Sequence, residues 1–468
     1  MTIAGTHTCA RCAVLEQQLD QLQIRVVQLE AELAAAKKDS ANSSKPPSSD
    51  IVKKPKPKPK DGSKRKRGGQ PGHPKHERAP FAEDAIEFVD FRCLECPDCH
   101  GPVVPSKQPP KVIQQVELQM PSEMIAVVGF RSHACWCRKC QQVHYAPIDE
   151  AARRAGLMGP RLTALVAYLK GACHCSYSTI RKFIRDVLQV QISRGYLAKL
   201  IAKASASLKD AYDALAARLP HETRLNVDET GHKNNGEPMW TWCFRASLFT
   251  LFKIDKSRGS NVLIQMLGVE FNGVLGCDYF SAYRKYMKDC GVLVQFCLAH
   301  FLRDVRFLVE HPNPRNQAYG KRVLEHMRAL FGVIHRRDEL SAVGFQVALQ
   351  DAGDELWAQV VWRVPSTKEA QNLAQRFRKH GESYLRFITT PGIDPTNNLA
   401  EQAIRFVVID RKVTQGSRSD IGQRWCERIW TVMATCTQTG QSVFTLLQES
   451  LSCYFADEPT PKLLPDST

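Results

Sequence analysis

Asp228, Asp278 and Glu401 are the residues whose type and spacing point most directly to chemistry. Asp228 closes the run RLNVD and Asp278 closes GVLGCD fifty residues on; Leu225 and Val227, then Val274 and Leu275, give both runs a strand-like apolar character. Glu401 lies in NNLAEQAIR, where Ala400, Ile404 and Val408 recur at helical spacing. Carboxylates at two strand ends and on one helix suit phosphodiester chemistry, in which two divalent cations roughly 3.5–4 Å apart, held by shared carboxylates, charge the attacking and leaving oxygens. Hard oxygen donors select Mg²⁺. Each Asp taken singly also reads as a solvated turn residue. The three contexts together favour a site.

The elements that must position these groups follow from the patterning. RLNVDE, MWTWCFRA, FTLFKID, GVLGCD and LVQFCLA read as five strands, with a helix carrying Tyr283 and Tyr286 before the last. That order is the order of an RNase H-like α/β core, in which the first and fourth strands lie side by side and bring Asp228 and Asp278 within reach of one cation. Asn397 is an N-cap candidate for a helix from Asn398 to Val408, whose first turns project Glu401 and, one turn on, Arg405 along one side. Arg405 there either neutralises charge on a phosphate or pairs with Glu401. The stretch DRKVTQGSRSD then reads as a basic, Gly-containing loop that offers Arg411 and Lys412 to a DNA backbone. Between His311 and Gly392 the stripes of Val323, Leu324, Met327, Leu330 and Phe331, and of Leu373 and Phe377, predict a helical insertion that separates Asp278 from Glu401.

Upstream, the character of the chain changes several times. Leu15, Leu22 and Leu29, interleaved with Leu19, Val26 and Leu33, repeat every seven residues and predict a short coiled coil that pairs two copies, or else an amphipathic helix packed on its own subunit. Residues 40–85, rich in Pro, Gly, Lys and Arg, read as a solvated linker whose charge favours DNA phosphates. Cys96-Pro-Asp-Cys99 and Cys137-Arg-Lys-Cys140 have the spacing of a closed four-thiolate Zn²⁺ site with a structural role. Cys93 and Cys135 are near enough to substitute in either pair, and Cys9-x-x-Cys12 beside His7 is a weaker half-site. Apolar faces along 160–220, with Ser193 as an N-cap, outline three helices; the last reads either as a recognition helix offering Arg194 and Lys199 to a groove, or as a plain connector.

DET after a strand, DYFSAY, CLAH, and NNLAEQAIR followed by RK and GS, together with upstream SSKPPSSD, GGQPGH and Cys-x-x-Cys, resemble the insertion-sequence-66 family of bacterial DDE transposases over nearly the whole chain. His100 stands where that family more often has Gly. The resemblance implies catalysis by Asp228, Asp278 and Glu401 with two Mg²⁺ (or Mn²⁺), cleavage at element ends, strand transfer by the freed 3′-hydroxyl, and accessory proteins of the same element. His300 of CLAH is an auxiliary candidate against a buried, hydrogen-bonded histidine, and His232 faces the same choice. The alternatives are an RNase H-like nuclease without strand transfer and a non-catalytic zinc-dependent DNA-binding regulator.

The expected organisation is multidomain α/β: a coiled-coil helix over 1–39, the basic linker over 40–85, a zinc module over 86–150, and a helix-turn-helix-like domain over 151–220. The core would then run over 221–312 and 393–455 around a helical insertion at 313–392, with a disordered tail at 456–468. In the 468 residues, 64 Lys+Arg against 48 Asp+Glu leave +16, which suits a polyanionic partner. The chain shows no apolar run of membrane-spanning length and no secretion signal, so a cytoplasmic bacterial location is expected, with its 17 cysteines reduced or metal-bound.

Overall fold

The structure is a computed structural model describing residues 10–36 and 147–465 and, between them, 100, 102, 125–137, 139 and 141–145. Helix α1 (Ala10–Ala36) leaves Leu15, Leu19, Leu22, Val26, Leu29 and Leu33 exposed. A two-stranded antiparallel ribbon, β1 (Ala134–Cys137) and β2 (Gln142–Tyr145), follows. Five helices come next: α2 (Glu150–Ala155), α3 (Pro160–Gly171), α4 (Tyr177–Leu188), α5 (Arg194–Ser207) and α6 (Lys209–Arg218). The hydroxyls of Ser176 and Ser193 accept the backbone N–H of Thr179 and Tyr196, so local capping starts α4 and α5, the latter at the N-cap the sequence predicts.

A five-stranded mixed sheet forms the centre, in the order β5-β4-β3-β6-β7. Its antiparallel part is β3 (Arg224–Asn234), β4 (Glu237–Arg245) and β5 (Thr250–Asp255). Asn235 and Gly236, both at positive φ, make the tight β3–β4 turn, which matches the strand twist only in that backbone region. After α7 (Ser260–Leu267), β6 (Val274–Cys277) pairs parallel with β3; after α8 (Ser281–Cys290), β7 (Leu293–Phe296) pairs parallel with β6. Every residue of β6 is buried, as parallel strands covered on both faces require.

The segment 298–389 is helical: α9 (Leu298–Val309), α10 (Pro314–His335), α11 (Ala342–Val361) and α12 (Lys368–Thr389). Helix α12 kinks at His380, and the next residue, Gly381, lies against the ring of Trp357 on α11, where a Cβ would collide. Past the kink the helix returns to the sheet. The buried Gln295 of β7 donates to the Tyr384 carbonyl and accepts the Phe387 N–H, both at 2.9 Å.

The chain closes with α13 (Asn398–Thr414), α14 (Asp420–Thr439) and α15 (Val443–Ala456). Helix α14 lies along the free edge of β5. Glu427, Thr431 and Thr435, four residues apart, accept the N–H groups of Ile254, Phe252 and Thr250 at 2.8, 3.0 and 3.2 Å. Four helical residues rise about 6 Å and two strand residues about 6.6 Å, so the two ladders stay in register and the edge cannot recruit another strand. On its other side α14 meets α5, where Arg428 donates to the Ser205 carbonyl at 2.8 Å. Gly171 of α3 lies against Ile429 and Trp425. Residues 150–218 and the C-terminal helices thus share one core. The tail expected to be disordered is partly packed: Leu463 and Leu464 are buried, and Gln441 donates to the Leu463 carbonyl at 3.2 Å. Two leucines that find an apolar surface within a few residues of α15 have reason to stay on it.

Candidate active site

Asp228 does not end its strand as the sequence suggests. β3 continues six residues beyond it, because the polar stretch after Val227 still pairs with β4, with Asp228 opposite Cys243. What ends is the parallel partner: β6 pairs only as far as Asn226 and stops at Cys277, and Asp278 follows immediately. The shorter neighbour therefore leaves Asp228 and Asp278 together at the carboxyl end of the parallel pair, as expected of the first and fourth strands.

Helix α13 occupies the edge of β3 that β6 vacates. Asn397 precedes α13, but its side chain does not cap the helix. Instead its Nδ2 donates to the Val227 carbonyl at 2.8 Å and its Oδ1 accepts Asn226 Nδ2 at 3.0 Å, while its backbone N–H meets Cys297 Sγ at 3.2 Å. One residue ties the helix start to β3 and to the beginning of α9. One turn later comes Glu401, whose N–H donates to the Asn397 carbonyl.

The three carboxyls interact. Asp228 is pushed well above the usual carboxylate range by burial and by the neighbouring charges of Glu229, Asp278 and Glu401. Asp278 rises to about 7, chiefly through burial and Glu229, with Glu401 adding and the Phe280 N–H and Arg258 opposing. One oxygen of each Asp is spent on backbone: Asp228 Oδ1 accepts the Glu229 N–H at 2.9 Å and Asp278 Oδ1 the Phe280 N–H at 2.8 Å. Glu401 stands 3.5 Å from Arg303 through Oε2 and 3.5 Å from His300 Nδ1 through Oε1. The second distance exceeds a hydrogen bond, and both His300 Nδ1 and Glu401 Oε1 are buried without a partner. This donor set is anionic, oxygen-rich and under-compensated, which fits a hard divalent cation.

The layer behind the carboxyls was not legible. Glu229 sits beside Asp228 in DET, but alternation along a strand sends it the other way. It is buried and receives Arg258 Nε and Nη2 at 2.9 and 2.7 Å as well as the Tyr283 hydroxyl. Arg258 in turn stacks between Trp240 and Phe280, 4.4 and 3.9 Å from the ring centres. Arg258 and Arg303 carry no local signal, since each meets its acid only through the fold.

The remaining predicted residues separate into groups. Arg194 and Lys199 are exposed at the start of α5, and Arg405 and Lys412 are exposed on α13. Arg411 departs from expectation. The stretch read as a loop from Asp410 continues α13 to Thr414, and the Arg411 guanidinium turns inward to Thr230 Oγ1 (3.1 Å) and the Gly231 carbonyl of β3. Val407 and Asp410 are buried there, so packing extends the helix. His232 is buried, held at 3.2 Å by Ser417 and kept neutral as burial and Arg411 lower its pKa to about 4. His300 is likewise lowered to about 4 by burial and Arg303. Cys96, Cys99, Cys140, Cys93, Cys9 and His7 lie outside the described residues, and of Cys137 and Cys135 only the strand position in β1 is described, as is only the helical position of Cys12 in α1. No helix among the described residues is long and apolar enough to cross a membrane.

Comparison with known proteins adds three findings. Residues 155–424, more than half the chain, match the Transposase IS66 family. Residues 6–79 match a family of unknown function, DUF6444. Two proteins of Sinorhizobium fredii (strain NBRC 101917 / NGR234) are each 22% identical to this chain: uncharacterized protein y4qI over 64% of the chain and 60% of its own length, and uncharacterized protein y4hP over 70% and 65%. The chain thus spans under two thirds of the length of these relatives.

Proposed function

Given that this chain belongs to the IS66 transposase family, we propose that Asp228, Asp278 and Glu401 form the DDE catalytic centre of an RNase H-like core, which cuts a phosphodiester at element ends and joins the freed 3′-hydroxyl to target DNA. The observation that carries this reading is the convergence of three carboxyls from β3, the end of β6 and α13, where burial and neighbouring acids that include Glu401 raise Asp228 and Asp278. Like charges gathered without compensation are unfavourable alone and are retained where a cation completes them. When bound, two Mg²⁺ held by these residues supply charge stabilisation for the attacking and leaving oxygens.

The protein's own groups do the rest. Asn397 sets the distance between Glu401 and β3, and Glu229, Arg258 and Tyr283 brace the strand and helix that present Asp228 and Asp278. Arg303 restrains one oxygen of Glu401. Arg405 and Lys412, on the exposed side of α13, would follow the DNA backbone, with Arg194 and Lys199 of α5 as a second contact region. Arg411 is better assigned to holding α13 on β3. Upstream, a four-thiolate Zn²⁺ module of Cys96, Cys99, Cys137 and Cys140, and pairing of two copies through α1, complete the proposed assembly; the exposed leucine seam of α1 supports the latter. DNA, a second protomer and accessory proteins of the element are the proposed partners, in a bacterial cytoplasm.

The test is nicking and strand transfer on labelled ends with Asp228→Asn, Asp278→Asn and Glu401→Gln. Each should abolish both reactions while end binding persists, and double substitutions should be no worse than single ones, because the residues act as a unit. Cleavage surviving in any one variant removes that residue from the centre.

A further inference from the structure

We propose that Cys297, His300 and Glu401 form a separate metal site that takes a thiophilic divalent cation such as Zn²⁺ and, by engaging Glu401, withdraws it from the catalytic centre. The second half of this proposal rests on the function proposed above; the first half stands on geometry alone.

Cys297 Sγ, a ring nitrogen of His300 and a carboxylate oxygen of Glu401 lie within 4.8 Å of one another. Around a tetrahedral ion with bonds of about 2.0–2.3 Å, donor atoms stand roughly 3.3–3.8 Å apart, so a movement of about 1 Å closes the set. Cys297 immediately precedes α9 and His300 lies in its first turn, three residues on, which puts both on one side of the helix start. The sulfur is held in place: the Cys297 N–H donates to the Cys277 carbonyl at 2.8 Å, the Leu298 N–H to the Pro395 carbonyl at 2.9 Å, and the Asn397 N–H to Sγ itself. Asn397 also carries the turn that ends at Glu401. The same residue therefore fixes the thiol and the carboxylate relative to each other.

Two features argue against a trio that merely satisfies itself. His300 Nδ1 and Glu401 Oε1 face each other at 3.5 Å, buried and without a hydrogen bond. A bound ion would remove the cost of leaving both unpaired. The donor chemistry also differs from that of the three carboxylates. Sulfur, imidazole and one carboxylate favour Zn²⁺ or Co²⁺, whereas Mg²⁺ prefers oxygen. On binding, the Cys297 thiol releases its proton to solvent, so that a thiolate, a carboxylate and a neutral imidazole balance the 2+ charge.

The experiment titrates Co²⁺ into the full chain without Mg²⁺ and follows the thiolate-to-cobalt absorption and the number of ions bound. The difference between parent and Cys297→Ser isolates this site from the other cysteines. The parent should bind one more thiolate-ligated Co²⁺ per chain than Cys297→Ser. His300→Gln, which keeps the thiol, should bind that ion at least about tenfold more weakly, since even outer partners of a ligand cost 10–100-fold when lost. Equal stoichiometry and equal absorption in parent and Cys297→Ser would overturn the site, as would unchanged affinity in His300→Gln with native melting behaviour. In the nicking assay, Zn²⁺ should inhibit the parent at least about tenfold more strongly than Cys297→Ser; equal inhibition overturns the regulatory half. If Glu401→Gln still cuts DNA, the catalytic reading fails, and the cobalt difference still decides the metal site.

Discussion

Asp278→Asn should make the metal-free protein more stable while ending catalysis. Burial and Glu229 raise the Asp278 carboxyl from 3.8 to about 7, which corresponds to about 4 kcal/mol of disfavour for its charged form. A raised folded-state value means that the carboxyl's contribution is favourable below 3.8 and is lost as pH rises towards 7. At pH 8 the parent without metal holds the full unfavourable charge. Asparagine is neutral there, nearly isosteric, and keeps an Oδ1 to accept the Phe280 N–H. The variant should therefore gain up to about 4 kcal/mol in chelator at pH 8, and under half of that at pH 5. At roughly 2 °C per kcal/mol for a large domain, thermal melts should separate by several degrees at pH 8. Adding Mg²⁺ should close the gap by stabilising the parent alone. If the variant melts below the parent at pH 8 in chelator, the Asp278 charge is already paired within the protein, and the carboxyls do not await a cation.

Other consequences are more local. Thr431→Val keeps the shape of α14 but strips the acceptor from the Phe252 N–H; it should cost about 1–3 kcal/mol in urea melts and speed hydrogen exchange at that amide, and unchanged exchange would show that the edge of β5 is protected by packing alone. Cys99→Ser and Cys140→Ser should each lower the zinc content by about one ion per chain while leaving the melt of the central sheet in place; unchanged zinc in both would mean that other cysteines hold it. Placing Asp at Leu22 and Leu29, both exposed on α1, should abolish paired-end complexes without weakening single-end binding, because a charge at each d position opens the seam; parent-like sedimentation would locate self-association elsewhere.

The legible part of this chain was the part governed by short-range rules. Strand periodicity and the Ser193 N-cap depend on neighbours in sequence, and β3 to β7 and α5 start close to where those signals place them, although β3 runs on past Asp228. Strand order with one crossover pattern then brings Asp228 beside Asp278. The illegible part was whatever distant chain supplied. Helix α13 runs past Val408 because β3 offers its C-terminal half a surface to pack on. Asn397 looked like a cap because Asn usually is one, yet the vacated edge of β3 gives its amide a better use. The packing of α5 against α14, 223 residues away at the Arg428–Ser205 contact, has no trace in either helix's own pattern. The tail expected to be disordered is likewise held by distant chain, where Leu463 and Leu464 find a surface.

The acids of the proposed centre differ from the structural acids of this protein in how far their charge is compensated. Glu427 is fully buried, and it is compensated: it accepts the Ile254 N–H, pairs with Arg424 at 2.6 Å and lies 3.7 Å from Lys253. Glu229 is nearly as buried and has Arg258 and Tyr283. Each has enough donors to offset desolvation, which is the condition for a buried charge to be tolerated for its own sake. Asp228, Asp278 and Glu401 have fewer compensating donors. Between them they hold two backbone N–H groups and one arginine at 3.5 Å, the proton affinity of Asp228 and Asp278 is raised by burial and by acids that include Glu401, and Glu401 keeps an oxygen with no partner. Removing a partner from Glu427 or Glu229 would damage the fold, whereas removing charge from Asp278 should relieve it. The sign of that difference, measurable without any DNA, separates acids that hold the sheet together from acids kept for a cation.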